Sequence, residues 1–419
     1  MDVDAFTALY RAEFSRLVAG LVSRVGGLQA AEETAQEAFE AALARWPSAG
    51  WPPHPRAWLI RTARHKALDR VRRRANFEGK RAELELEAMA GTVPDDDDAA
   101  EERLFPDERL KLLFTCCHPA LSMEARVALS LRTLCGLTTE EIARAFLVPL
   151  PTMAQRLVRA QQKIQTAGIP YRVPSEALLP DRVEAVLAVI YLVFNEGYAA
   201  TSGEERVRLD LCDQAIRLGR TMAELMPRRG DVRGLLALML LHDSRRRARV
   251  GPDGEAILLE AQDRSRWDRA QIDEGLQLLE EALLGGPPGA YELQAAIAAV
   301  HARAATAAET DWAQIAGLYA LLARVQPTPV VELNRAVAVA MAGALEHGLQ
   351  LIEALDRSGD LKTYAALPAA KADLLWRSGR FRAAAAEYDR ARALAASAPE
   401  KRFLEGRAAE ARRRASRLS

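Results

Sequence analysis

Eight Arg or Lys residues and a single acid, Asp69, fill the stretch Arg56–Arg74. A solvated helix face ordinarily carries acids three or four positions from its bases, and like charges at those spacings repel. The run therefore calls for an anionic partner, and the phosphates of a nucleic acid offer many anions in a row. Arg61, Arg64, Lys66, Arg70, Arg72 and Arg73 supply the charge. Trp51, in a proline-punctuated loop just ahead, adds a ring able to stack on an unpaired base. A second group lies at the beginning and on the exposed side of a later basic helix: Thr152, Gln155, Arg156 and Arg159. There Arg can read guanine and Gln adenine in a duplex major groove. Other chemistries find little support. Cys116 and Cys117 are adjacent and precede His118, but zinc pairs separate their cysteines by two to four residues and no second pair follows. The six histidines form no HExxH array, and neither a P-loop nor a dinucleotide fingerprint is present. The expectation is a binding protein with no catalytic residue, no metal and no cofactor.

The elements that must hold these groups read as helices throughout. Aromatic residues make up 6% of the 419 positions and Ala is very frequent, which favours close-packed helices over sheets. The formal net charge of +0 hides three blocks. Residues 1–40 hold seven acids and three bases, 51–80 hold nine bases and two acids, and 82–102 hold nine acids and no base. Helical spacing joins Phe6, Leu9, Tyr10, Phe14, Leu17 and Val18, and a second helix is expected to stop before Pro47. Pro55 fits the entry of the basic helix, whose apolar side is Trp58, Leu59, Ala63, Ala67, Leu68 and Val71. The acidic stretch reads as a linker. Beyond it, Thr138 or Thr139 can cap a helix with Glu141 reaching back. After the break "LVPLP" a second helix starts about Thr152 and turns Met153, Leu157, Ala160 and Ile164 inward. Two short helices across a tight break make a helix-turn-helix.

From about residue 171 the chain becomes Ala- and Leu-rich helical hairpins. Ala372, Gly379, Phe381, Ala384, Tyr388 and Ala391 sit where a tetratricopeptide unit has its small and aromatic residues, and Ala336, Val339, Gly343 and Gly348 read as a weaker copy. The expected organisation is all-α: a helical domain over 1–80, an acidic flexible linker over 81–105, a helix-turn-helix domain over 106–170, a helical extension over 171–285 and a tetratricopeptide-like region over 286–419. The N-terminus, MDVDAFTALYRAEF, has no signal-like apolar core, and no apolar run approaches the roughly 20 residues of a membrane span. The cytoplasm is the expected compartment, with no membrane partner.

Three segments, in order, resemble the extracytoplasmic-function sigma factors of the sigma-70 superfamily. "AEETAQEAF", Ala31–Phe39, resembles the core-polymerase-binding segment. "PRAWLIRTARHKALDRVRRR", Pro55–Arg74, resembles the promoter-melting and minus-ten segment. "TTEEIARAFLVPLPTMAQRLVRAQQKI", Thr138–Ile164, resembles the helix-turn-helix that reads the minus-thirty-five element. One local departure is the turn, where Pro149 and Pro151 flank Leu150 in place of the usual Leu-Gly. The segments "YLVFNEGYAATSG" and "LLALMLLHDSRRRAR" further resemble the C-terminal extension of the subgroup with tetratricopeptide-like repeats.

The resemblance implies a role for each block. Glu32, Glu33, Gln36 and Glu37 would face core RNA polymerase. Trp51, Arg61, Arg64, Lys66, Arg70, Arg72 and Arg73 would hold locally melted DNA at the minus-ten element. Thr152, Gln155, Arg156 and Arg159 would contact double-stranded promoter DNA upstream. Apart from the resemblance, the polar interruptions of the extension hold Asn195, Glu196, Tyr198, His242, Asp243, Arg245 and Arg246, which could line a regulatory or intramolecular surface. The competing reading is a helical-repeat peptide-binding scaffold with incidental DNA affinity. Asp69 has no assigned role.

Overall fold

The computed structural model describes residues 3–78, 108–146, 148–199, 205–249, 251, 257–395 and 398–417. The expected linker, 81–105, lies outside them. The described residues are all-α, and they form two compact units, Met1–Val193 and Phe194–Ser419. No helix among them is long and apolar enough to cross a membrane.

The first unit opens with α1 (Val3–Val25), α2 (Leu28–Ala49) and α3 (Pro55–Glu78). Phe14, Leu17 and Leu21 of α1, Phe39 and Trp46 of α2, and Leu59 and Ala63 of α3 are all buried, so each helix contributes one stripe to the core. The sequence expectation for α2 needs correction: the helix continues through Pro47 to Ala49. Pro47 lacks the N–H that would bond the carbonyl four residues back, and the helix ends two residues later, so the break comes just after the proline and not before it. Gly50, at φ 80°, then closes the helix by donating to the Trp46 carbonyl at 2.9 Å.

The same unit continues with α4 (Arg109–Cys116), α5 (Met123–Thr133), α6 (Thr139–Ala145) and α7 (Leu150–Thr166). Thr138 and Glu141 form a reciprocal capping box: the Glu141 N–H donates to Thr138 Oγ1 at 3.1 Å, and the Thr138 N–H donates to Glu141 Oε2 at 2.7 Å. Helix α7 begins at Leu150, earlier than the expected Thr152, with Pro149 at its N-cap. Pro151 is tolerated there because first-turn N–H groups have no acceptor within the helix. The segments 3–78 and 108–193 pack together. The Tyr171 hydroxyl donates to the Ala19 carbonyl at 2.7 Å, and Gly136, at φ 69°, lets the turn after α5 approach the ring of Tyr10.

The chain passes to the second unit within α8 (Leu179–Ala199), followed by α9 (Glu205–Leu225) and α10 (Gly230–Asp243). Residues 234–241 of α10 are buried in an unbroken run, as a helix enclosed on all sides requires. Its neighbours include α11 (Arg269–Leu283) and α12 (Ala290–Arg303). Then come α13 (Trp312–Val325), α14 (Pro329–Met341), α15 (Leu345–Ser358), α16 (Ala366–Arg377), α17 (Phe381–Leu394) and α18 (Ala398–Arg417). Gly343 and Gly379, at φ 105° and 76°, turn the α14–α15 and α16–α17 hairpins. Ala336, Ala372, Ala384, Tyr388 and Ala391, picked from the sequence as close-packing positions, are all buried in one core.

Candidate nucleic-acid interface

Helix α7 is built to show one face. Met153, Leu157, Ala160 and Ile164 are buried, which turns Thr152, Gln155 and Arg159 to solvent and leaves Arg156 half-buried. All four line one open cavity of about 500 Å³, together with Lys163 and the first turn of α5. Ser122 caps α5 by accepting from the Ala125 N–H at 3.3 Å. At that turn the Glu124 carboxyl is held below its usual range, first by its own backbone N–H, then by the Ser122 hydroxyl, with Arg156 adding to both. The cavity thus combines three cations of α7, Arg156, Arg159 and Lys163, with the N-terminal turn of a neighbouring helix, an arrangement suited to phosphate. Lys163 was absent from the residues named from the sequence. Its place in the helical row 152–156–159–163 was the available signal.

On α3, Arg61, Arg64, Lys66 and Arg70 are half-buried and Arg72 is exposed, while the Arg73 side chain lies outside the described residues. Two of these cations meet the acids of α2. Lys66 Nζ is 3.7 Å from Glu37 Oε2, and Arg70 pairs with Glu33 and approaches Glu37 at 3.8 Å. Glu33, Gln36, Glu37, Glu40 and Arg70 line a second open cavity of about 510 Å³. The polymerase-facing and DNA-facing sets named from the sequence therefore share an edge. Trp51, 39% exposed, stands with its ring 5.0 Å from Trp46, which in turn lies 5.3 Å from Trp58.

Glu32 is placed differently from its three companions. It is 6% exposed and accepts hydrogen bonds from Thr133 Oγ1 and from Gln161 Nε2, the latter at 3.0 Å. Thr133 ends α5 and Gln161 belongs to α7, so this carboxyl is covered by those two helices. Burial raises its pKa, opposed by the Thr133 hydroxyl, Arg132 and Gln161. Sequence reasoning missed both covering residues, since neither carries charge nor follows a period.

The structure places five of the seven extension residues in two bonded groups. Tyr198 Oη accepts from Arg245 Nη2 at 2.7 Å, and that nitrogen lies 2.9 Å from His242 Nδ1. Arg249 stacks over the Tyr198 ring at 3.4 Å. Asp243, buried, accepts from Arg246 Nε at 2.8 Å and Gln271 Nε2 at 2.9 Å. Burial first, then Arg245 and Arg249, push the His242 pKa well below its usual value. Asn195 and Glu196 are half-buried one turn before Tyr198. The four cysteines are buried thiols outside any disulfide, and burial drives Cys117 up to about 11 and Cys212 up to about 12. No cluster of His, Cys, Asp or Glu among the described residues could hold a metal ion.

Comparison with known proteins divides the chain in the same order. A family model for Sigma-70 region 2 matches residues 9–77, one for Sigma-70, region 4 matches 111–164, and a family of unknown function (DUF6596) matches 182–283. The uncharacterized protein R00370 of Rhizobium meliloti (strain 1021) is 43% identical over 381 residues, covering 90% of this chain and 89% of that protein. The ECF RNA polymerase sigma factor SigK of Mycobacterium sp. (strain KMS) is 35% identical over 162 residues, 37% of this chain and 79% of SigK. SigK of strain JLS matches to the same extent. No solved structure matches. With regions 2 and 4 both present, in order and on the helices that carry the basic rows, the chain belongs to the sigma-70 superfamily as a protein like the extracytoplasmic-function sigma factors.

Proposed function

We propose that the chain is a promoter-specificity subunit of RNA polymerase that supports transcription initiation in the cytoplasm. The observation that carries the reading is the outward row on α7: four residues able to read bases or hold phosphate, fixed by a buried apolar stripe directly beneath them. In this account Thr152, Gln155, Arg156 and Arg159 contact the minus-thirty-five duplex. The cations of α3, with Trp51, hold the opened minus-ten strand. Glu33, Gln36 and Glu37 meet basic helices of the core enzyme, and Glu32 joins them once α5 and α7 leave α2. The arrangement with Glu32 covered is then a resting form. The C-terminal extension, read as tetratricopeptide-like, supports or regulates the sigma module from the same polypeptide.

The test is promoter-directed transcription with core polymerase and the full chain, beside Arg156→Ala/Arg159→Ala and a chain ending at Tyr171. Initiation by the full chain that falls at least tenfold in the double variant supports the reading. Failure of the full chain and of the shortened one on a validated cognate promoter refutes it. Activity only in the full chain assigns the extension a supporting role, and greater activity after truncation assigns it an inhibitory one.

A further inference from the structure

The second unit holds a cavity that the proposed initiation role leaves unused. It measures about 500 Å³ and opens between the short Leu259–Ala261 turn, the end of α12, and helices α14, α16 and α18. Leu258, Leu259, Val337, Met341, Phe403 and Leu404 give it apolar walls. A few hundred cubic ångströms with apolar walls and charged groups gathered at one part of the lining is the composition of small-molecule sites.

The polar groups decide what kind of molecule fits. Arg264 lines the cavity and is only 7% exposed. Its Nη1 donates to the carbonyls of His301 and Ala304, both at 2.6 Å, and its Nη2 donates to Thr310 Oγ1 at 3.2 Å. All three acceptors are neutral, and Nε has no acceptor. Glu309 acts on this guanidinium without forming an ion pair, and the Trp267 ring lies 4.8 Å away. A guanidinium does not shed its proton in a protein, so one buried among neutral groups is a cation lacking its counterion. The other charges of the cavity are already matched. Arg377 pairs with Glu260 and Asp373, both at 2.7 Å. Arg407 reaches Asp373 at 3.0 Å and also donates to Tyr388 Oη. Three guanidiniums face two carboxylates, and the excess positive charge falls on Arg264. His301 Nδ1, also lining the cavity, has no hydrogen-bond partner either.

We propose that this cavity binds a small amphipathic organic anion, a single carboxylate on an apolar body, with the carboxylate on Arg264 and the body against Met341, Phe403 and Leu404. The single charge follows from the single excess cation, and the apolar body from the walls. The site stands independently of the role in initiation.

Titration calorimetry on the full chain tests it with decanoate and its uncharged counterpart 1-decanol, both below their aggregation limits. One decanoate per chain is expected, bound at least tenfold more tightly than decanol. Arg264→Gln should bring the two within about threefold of each other by weakening decanoate alone. Met341→Trp, which fills the apolar end, should weaken both. Circular dichroism reports whether each variant folds; if Arg264→Gln does not, the decanoate-to-decanol ratio of the parent and the Met341→Trp result decide. Absence of saturable decanoate binding, equal affinity for the two probes, or decanoate binding unchanged in both folded variants overturns the proposal.

Discussion

Arg156 and Lys163 lie on the same face of α7, yet their positions along it argue for different work. A recognition helix presents its N-terminal residues to base edges while its later turns run past the backbone. Gln155 and Arg156 stand in the early turns, and Arg156 is half-buried near Glu124, which limits the directions its fork can take. Lys163 stands in the last turn, on the exposed side. Arg156→Ala should therefore change which base is preferred at one position, at a cost of about 1–3 kcal/mol on the cognate duplex. Lys163→Ala should weaken cognate and scrambled duplexes alike and lower the slope of log affinity against log salt by about 0.9. Fluorescence anisotropy on a duplex panel at stepped salt separates the two. If both variants shift every duplex equally, α7 holds phosphate along its whole length and the division of labour is wrong.

At the scale of elements, the hairpins of the second unit depend on how closely their helices approach. A Cβ on Gly348 of α15 would stand 2.5 Å from Ala340 Cβ and 2.7 Å from the Ala336 carbonyl of α14. Gly348→Ala should thus cost about 1–3 kcal/mol through overpacking. Gly406, within α18, has nothing within 4 Å of its added Cβ, and Gly406→Ala should be neutral or stabilise by up to about 1 kcal/mol. Urea midpoints that move together for the two variants would show that the α14–α15 contact does not limit stability. The small residues behind this contact were legible in the sequence, because a helix pair that must close tightly leaves Ala and Gly at fixed spacings. The Thr138–Glu141 capping box was legible for a similar reason: its partners are three residues apart. The ends at Pro47 and Leu150 were misjudged because proline is forbidden only in a helix interior, and local sequence does not say which turn is last or first. The cover over Glu32 was not legible at all, since Thr133 and Gln161 reach it from more than a hundred positions away. Arg264 was hidden likewise. In "DRSRWDRA" it looks like solvated charge, and carbonyls at 301 and 304 bury it.

Across the whole molecule, the two units carry buried or half-buried groups whose titration acts in opposite directions. Glu32, in the first, has its pKa raised by burial. Its unfolded form loses a proton at a pH where the folded form still keeps it. Its contribution is therefore complete below the usual glutamate range and is lost as pH rises through the raised folded value. His301, in the second, is lowered from 6.5 to about 4 by burial, then by Arg245 and Arg264. Between those values the unfolded chain binds the proton and the folded one does not, so stability falls as pH drops below 6.5. At pH 5.5 this amounts to roughly 1 kcal/mol for His301. His242 is lowered by the same kind of environment and acts with the same sign. Calorimetric unfolding of Glu32→Gln and His301→Gln between pH 5 and 8 measures both effects against the parent. Glu32→Gln should gain stability relative to the parent as pH rises, because it removes a carboxyl that must ionise under α5 and α7. His301→Gln should gain relative to the parent as pH falls, because it removes a ring that the unfolded state protonates. Comparing slopes within each variant cancels any packing cost of the substitution that is independent of pH. Slopes of equal sign in the two variants would mean that at least one of these side chains is not held in the environment described.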